Sequence, residues 1–180
     1  TAVVHIVSVG NECKELLLDC RKDFKGEAEI ICTECNGFTF RFRVCDEKNS
    51  PCEFSESLGE YLFQPAKVLL KAGACKLAGS LYGLRKLAPA THIYTGDNPV
   101  EDFPGKTFRI IDTIPFNSAA VRTLRDKYPQ AELTAVNFPT DTDSLRRKLK
   151  IKDGGGIHIF ATVSGSEKLL AVCRSVLSFS

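Results

Sequence analysis

The 180-residue sequence contains no methionine, not even at its first position, Thr1. The missing start residue favours a piece cut from a longer protein, or a chain that has been processed. The chain also has no signal-peptide pattern. No apolar run approaches the length of a membrane-spanning helix, because Lys67, Lys71 and Lys76 interrupt the longest one. We therefore expect a cytoplasmic protein with no membrane partner.

Familiar catalytic and nucleotide-binding motifs are also missing. The sequence has no G-x-G-x-x-G turn after a strand, no phosphate-binding GxxxxGK[ST] loop, no HExxH and no Gly-x-Ser-x-Gly. Residues 154–156 are three glycines, but they follow a predicted helix and precede a strand, which is the wrong context for a phosphate loop. No side chains combine as nucleophile and base. The sequence therefore predicts no catalytic residue and no cofactor bound by this chain.

The chain has eight cysteines, yet it is too long and too rich in core residues to depend on disulfides. It also has no glycosylation sequon, so we expect reduced thiols. The tempting pair is Cys32-x-x-Cys35. If Asn36–Gly37 closes a two-residue hairpin, Cys32 lies opposite Arg41 and the two sulfurs face opposite sides of the strand. We predict no metal site, with a zinc-binding pair as the alternative.

Charge is divided unevenly along the chain. Residues 1–64 hold 7 Lys and Arg against 12 Asp and Glu, which gives −5. Residues 65–180 hold 17 against 10, which gives +7 and leaves the whole chain at +2. Such asymmetry suggests two domains with different partners, the second half having the affinity for anions.

The first half reads as a four-stranded antiparallel meander over residues 1–45. Its hairpin signals are Gly10–Asn11 and Asn36–Gly37, and a polar loop follows at Asp46–Ser57. His5 and, later in the chain, His158 lie on apolar strand faces, where a histidine with satisfied hydrogen bonds is more common than a metal ligand.

The second half alternates helices and strands, so the whole chain is predicted to be α+β. Helical periodicity runs from Pro65 to Gly83, with two glycines that indicate two short helices or a kink. Ser118 is the predicted cap of a later helix. The predicted strands are 91–95, 108–116, 133–138, 157–163 and 168–176.

A basic helix near residues 140–153 carries the strongest functional signal. Thr140 or Asp141 can cap it, Leu145 and Leu149 mark its buried side, and Gly154–Gly156 are predicted to end it. Arg146 and Lys150 form a like-charge pair four residues apart, which a neutral surface does not need.

The cations of this helix are the candidate site. We interpret them as an anion-facing surface for a nucleic-acid backbone. The alternative is a solvated helix whose charges match its dipole, since Asp143 can pair with neighbouring arginines. The candidate RNA-binding residues are Arg146, Arg147, Lys148, Lys150 and Lys152.

Several short stretches, in this order along nearly the whole chain, resemble the C-terminal region of a family of bacterial class I SAM-dependent methyltransferases. They are KELLLDC (14–20), EYLFQP (60–65), YTGD (94–97), FRIIDTIPF (108–116) and LRRKLKIKDGG (145–155). In that family a Rossmann-like catalytic domain precedes a ferredoxin-like domain and a THUMP-like domain.

The resemblance implies a non-catalytic fragment of a methyltransferase, with a ferredoxin-like domain at residues 1–62 and a THUMP-like domain at residues 63–180. THUMP domains are associated with RNA, especially tRNA, so the expected partners are RNA and an upstream catalytic domain that would bind SAM. The positions that match are Arg146, Arg147 and Lys148. The alternative role is a structural module that docks on the catalytic domain or on a second subunit.

Overall fold

The computed structural model of the protein describes residues 1–35 and 37–178. The strands are β1 (Val3–Val9), β2 (Glu12–Asp19), β3 (Glu29–Glu34), β4 (Thr39–Arg43), β5 (Tyr61–Pro65), β6 (Arg85–Lys86), β7 (Tyr94–Gly96), β8 (Gly105–Pro115), β9 (Glu132–Ala135), β10 (His158–Ser164) and β11 (Glu167–Ser178). The helices are α1 (Val44–Asn49), α2 (Lys67–Ala72), α3 (Cys75–Leu81), α4 (Ser118–Lys127) and α5 (Thr142–Leu149). None of these described helices has the length and apolarity to cross a membrane. The α+β class is confirmed.

The first sheet has the strand order β2-β1-β3-β4. β1 and β2 pair antiparallel across Gly10–Asn11, and both turn residues have positive φ, as a two-residue hairpin requires. β1 pairs in parallel with β3, so the predicted antiparallel meander is wrong at this step. Residues 20–28 carry the chain past β1 to its other side, which leaves β2 at the edge of the sheet.

The second predicted hairpin, Asn36–Gly37, lies partly outside the described residues, because Asn36 is not described. Cys32 lies opposite Phe40 rather than Arg41. The backbone N–H of Glu34 donates to Phe38 O at 3.0 Å, so the loop is one residue longer than predicted. Cys32 is fully buried, whereas Cys35 is exposed.

The predicted loop at residues 46–57 begins inside a short helix, α1, so that prediction is wrong for its first turn. The Asp46 carboxylate accepts a hydrogen bond of 2.7 Å from the backbone N–H of Arg43 and closes the N-terminus of the helix. Glu47 then reaches α3, where its carboxylate accepts from the N–H groups of Lys76 and Leu77. These bonds tie the first fifty residues to the second half.

Two short helices, α2 and α3, follow β5, as the glycine pattern allowed. Gly73 separates them in a left-handed conformation at φ 78°. Val68 and Leu69 of α2 pack with Ile6 and Cys32 of the first sheet. The first sheet therefore obtains its helical cover from residues beyond position 62.

The second sheet has the order β6-β7-β5-β8-β11-β10-β9. All neighbours are antiparallel except β9 and β10. β9 runs in the same direction as β8, as a crossover through α4 predicts, but β11 and β10 lie between them. Asn117, rather than the predicted Ser118, caps α4, since its side chain accepts a 2.9 Å hydrogen bond from Ala120 N.

Helices α4 and α5 cover one face of the second sheet at its β10–β9 end. Leu124 of α4 and Leu145 and Leu149 of α5 share a core cluster with Ile159 and Val172 of the sheet. This packing fixes the buried side of α5 and therefore decides which of its cations meet solvent.

Candidate nucleic-acid interface

The N-terminus of α5 is set by a single side chain. Asp141 is the N-cap, and its carboxylate accepts a 2.9 Å hydrogen bond from Ser144 N. That backbone hydrogen bond is the main reason that the pKa of Asp141 lies below its ordinary value. Leu145 and Leu149 are 0% and 1% exposed, as the spacing of the two leucines predicted.

The C-terminus of α5 differs from the prediction. The helix stops at Leu149, and Lys150 takes the left-handed C-cap position at φ 56°, with its N–H donating to Arg146 O. The prediction that Gly154–Gly156 end the helix is wrong. Ile151, 4% exposed, turns inward immediately after the cap, and its burial fixes the change of direction.

Arg146 faces inward, unlike the other cations of the helix. Its guanidinium lies 2.7 Å from the Asp153 carboxylate and donates to Ala131 O at 3.3 Å. One of the five candidate residues is therefore committed to holding the loop after α5 against the start of β9. Its positive charge is therefore paired with a carboxylate of the same chain.

Lys148 rests on an aromatic pair that sequence reasoning did not single out. Its Nζ lies 4.8 Å from the centroid of the Phe116 ring, and Phe116 meets Phe138 edge-on at 5.0 Å. Both rings come from loops flanking α4 and β9, so only the tertiary fold brings them to Lys148. The lysine is exposed while its alkyl chain is held on one side.

The remaining candidate cations are Arg147, Lys150 and Lys152, and all three are exposed. Arg147 donates within its own helix to Asp143 O and to the Ser144 hydroxyl. Within the part of the chain that the structure describes, these three residues and Lys148 have no carboxylate within ion-pair distance. Among the described residues, four cations on α5 and in the loop after it therefore have no ionic partner.

The neighbouring helix α4 is better matched in charge. Lys127 Nζ lies 2.7 Å from the Asp112 carboxylate. This hydrogen bond is the main cause that lowers the pKa of Asp112 and raises that of Lys127. The Asp126 carboxylate lies 3.9 Å from the guanidinium group of Arg125 in the same helix. The unpaired positive charge of this surface therefore lies mainly on α5 and in the loop after it.

Over residues 1–35 and 37–178, no group of three or more His, Cys, Asp or Glu side chains is arranged to hold a metal ion. Cys32 points into the core towards Val68 O, and Cys35 lies on the surface. The absence of a metal from the protein stays a prediction.

Comparison with known proteins gives two matches to domain families. Residues 61–104 match a family described as a ferredoxin-like domain, and residues 105–175 match one described as THUMP domain-like. The ferredoxin-like match lies C-terminal to the range that the sequence suggested for it, and the division after residue 62 stays a prediction. A search of curated proteins found no match.

One solved structure is similar over nearly the whole chain. It is a crystal structure of a proposed methyltransferase from Porphyromonas gingivalis W83, with 31% sequence identity and a TM-score of 0.86. The match covers 97% of the present chain and 45% of the other, so this chain spans less than half the length of that relative. The chain therefore contains a region similar to a ferredoxin-like domain followed by a region similar to a THUMP-like domain, and nearly its whole length is similar to one part of this proposed methyltransferase.

Proposed function

We propose that this chain is the RNA-binding, non-catalytic part of a SAM-dependent methyltransferase that acts in the cytoplasm on RNA, with tRNA as the expected class. The catalytic and SAM-binding groups would reside in the rest of that enzyme. Two findings support the proposal, the THUMP-like match of residues 105–175 and the methyltransferase relative. The observation that carries it is the group of four exposed cations on α5 and in the loop that follows it, none of which has an ionic partner among the described residues.

The chemistry of this surface suits a phosphate backbone. Each lysine or arginine that meets a phosphate releases condensed counterions, so affinity falls steeply as salt rises. Because these cations lie at a helix end and a loop rather than on a groove-reading element, we expect contacts to phosphate and little dependence on sequence.

The test replaces two of the cations without disturbing the fold. Arg147→Gln with Lys150→Asn removes two charges, and Asn tolerates the left-handed conformation of position 150. We expect weaker binding of tRNA in fluorescence anisotropy and a salt dependence flatter by up to about one unit per lost contact.

Lys22→Gln with Lys25→Gln, in the loop between β2 and β3, is the matched control because both lysines are exposed and the pair removes the same charge elsewhere. Unaltered binding in the α5 variant across a salt series would refute this role for α5.

The second candidate function is docking on the catalytic domain. Strand β2 lies at a sheet edge, and Leu16, Leu17 and Leu18 are 63%, 50% and 56% exposed. Consecutive exposed leucines on an edge strand are a typical interaction surface. We assign the methyltransferase domain as the occupant, because more than half of the relative's chain lies outside the matched region.

Docking predicts a different outcome in the full-length enzyme. Leu16→Ser with Leu18→Ser should detach this region from the catalytic domain, measured as faster proteolysis between them, and should leave tRNA affinity unchanged. Equal proteolysis of variant and native enzyme would reject docking through β2.

A further inference from the structure

A second basic surface lies in the middle of the seven-stranded sheet. α3 packs through Ala78 on Phe63 and Tyr94 at one end of the sheet, and α4 and α5 pack on β10 and β11 near the other. Between these helices, β8 and β11 form the centre of the sheet. Two of the side chains on this strip lie in the stretches EYLFQP and FRIIDTIPF, but no role was predicted for them from the sequence.

Three side chains form one row across this strip. Tyr61 of β5 lies directly opposite Arg109 of β8, and Arg109 lies directly opposite Arg174 of β11. Residues directly opposite in an antiparallel pair lie on the same face of the sheet, with Cβ atoms about 4.5–5.5 Å apart. The two guanidinium groups therefore project from neighbouring positions on one surface, with an aromatic ring beside them.

Among the described residues, the two arginines have no counterion. Both are exposed, and within residues 1–35 and 37–178 neither side chain has an ion pair or a hydrogen bond. Like charges directly opposite each other on paired strands destabilise the sheet. An external anion would remove this repulsion.

Apolar side chains are also exposed on the two strands that carry the arginines. Ile111 and Val176 are 40% and 44% exposed on the same strands, and Tyr61 is half-buried against Phe63, with ring centroids 6.5 Å apart. Proteins that bind single-stranded RNA on an open sheet combine cations, which contact the phosphates, with aromatic rings, which stack on the bases. An acidic peptide would use the charges but would gain little from the ring.

We propose that Arg109, Arg174 and Tyr61 form a binding site for single-stranded RNA, separate from α5, in which the arginines contact phosphates and Tyr61 stacks on a base. The proposal rests on the proposed function for the identity of the polymer. It adds a second contact region and assigns to it an unpaired segment of the substrate.

The experiment measures binding of a labelled oligouridine of about 12 nucleotides, a length within the range of single-strand sites. Arg109→Gln with Arg174→Gln should flatten the salt dependence by about 1.4 units, since each single-strand phosphate contact contributes about 0.7. Tyr61→Leu should weaken binding about 5- to 100-fold, whereas Tyr61→Phe should retain it. Thermal melting of each variant establishes that it is folded.

The outcomes separate this site from α5. Full oligouridine affinity in the Arg109/Arg174 variant, with a loss in the Arg147/Lys150 variant, would overturn this inference and leave the proposed function standing. Binding of polyglutamate as tight as oligouridine, with no effect of Tyr61→Leu, would assign the arginines to an acidic peptide and overturn it as well. Failure of the native chain to bind any RNA would overturn both proposals.

Discussion

Arg146 and Asp153 form an ion pair of 2.7 Å that joins α5 to the glycine-containing loop after it. The like-charge repulsion expected between Arg146 and Lys150 is relieved, because the arginine turns inward and the lysine occupies a left-handed cap. Arg146 therefore has a structural role, whereas the other four candidate cations remain available to bind an anion.

Arg146→Gln should consequently affect stability rather than RNA binding. The pair is partly exposed, with Asp153 at 74%, so its loss should lower the free energy of unfolding by no more than about 1 kcal/mol. The salt dependence of tRNA binding should stay the same, in contrast to that of Arg147→Gln. Urea unfolding and anisotropy on the two variants are the measurements, and an equal change in salt dependence would show that Arg146 also meets RNA.

Substitutions at the two adjacent positions that end α5 should change the free energy of unfolding in opposite directions. Leu149→Ala should lower the free energy of unfolding by roughly 2–5 kcal/mol, because the side chain is 1% exposed in a packed cluster. Lys150→Gly should raise it by up to about 1 kcal/mol, because glycine adopts the left-handed cap without strain. Urea unfolding decides both, and a destabilising Lys150→Gly would contradict the cap assignment.

The amphipathic helix was predictable because its evidence is local. The cap residue Asp141 and the two buried leucines all lie within this one short segment, and the structure confirms the cap and the burial of both leucines. The helix end was missed because a lysine in the left-handed conformation has no sequence signature, while three glycines nearby offered a stronger one. Asp153 and Phe116 were missed because they reach α5 only through tertiary packing.

The first sheet shows the same limit for strand pairing. Gly10–Asn11 predicted its hairpin correctly, since turn residues report on adjacent strands. The parallel pairing of β1 with β3 depends on where residues 20–28 lead the chain, and no local pattern contains that information. The facing arginines 109 and 174 are 65 positions apart and become neighbours only through the β8–β11 register.

Cofactor binding gives a third prediction. The chain alone should not bind SAM, because it lacks a strand–glycine-rich turn–helix unit to hold the cofactor. Isothermal titration of SAM into these 180 residues should give no heat of binding. Micromolar affinity would refute the assignment of SAM to the rest of the enzyme.

Thiol reactivity should divide the cysteines by burial. Burial raises the pKa of Cys32 and of Cys173 to about 12, so few thiolates form there at neutral pH. Iodoacetamide should modify the exposed Cys13, Cys20 and Cys35 of the native protein rapidly. Mass spectrometry should find the two buried cysteines modified only after denaturation, and their rapid native labelling would contradict the packing described here.

His158 is a buried histidine whose two ring nitrogens both have partners. Its Nδ1 lies 3.2 Å from the Glu132 carboxylate and its Nε2 lies 2.8 Å from the Thr134 hydroxyl, which confirms a satisfied core histidine. Burial has the largest effect on this histidine and lowers its pKa below the ordinary 6.5. The Glu132 carboxylate raises the pKa, but by less, and Lys106 lowers it further. The carboxylate is 56% exposed, so solvent screens its attraction.

Stability should therefore depend on pH through this residue. A histidine whose pKa is lowered by folding takes up a proton more readily in the unfolded chain, so its contribution is complete above about pH 6.5 and is lost as pH falls through the lower, folded pKa. Urea unfolding between about pH 7.5 and pH 5 should show a smaller acid-induced loss in His158→Gln than in the native protein. His92, whose pKa burial also lowers, provides the control His92→Gln, which should leave the contribution of His158 in place. Identical pH profiles for native protein and His158→Gln would show that burial of this ring does not control its titration.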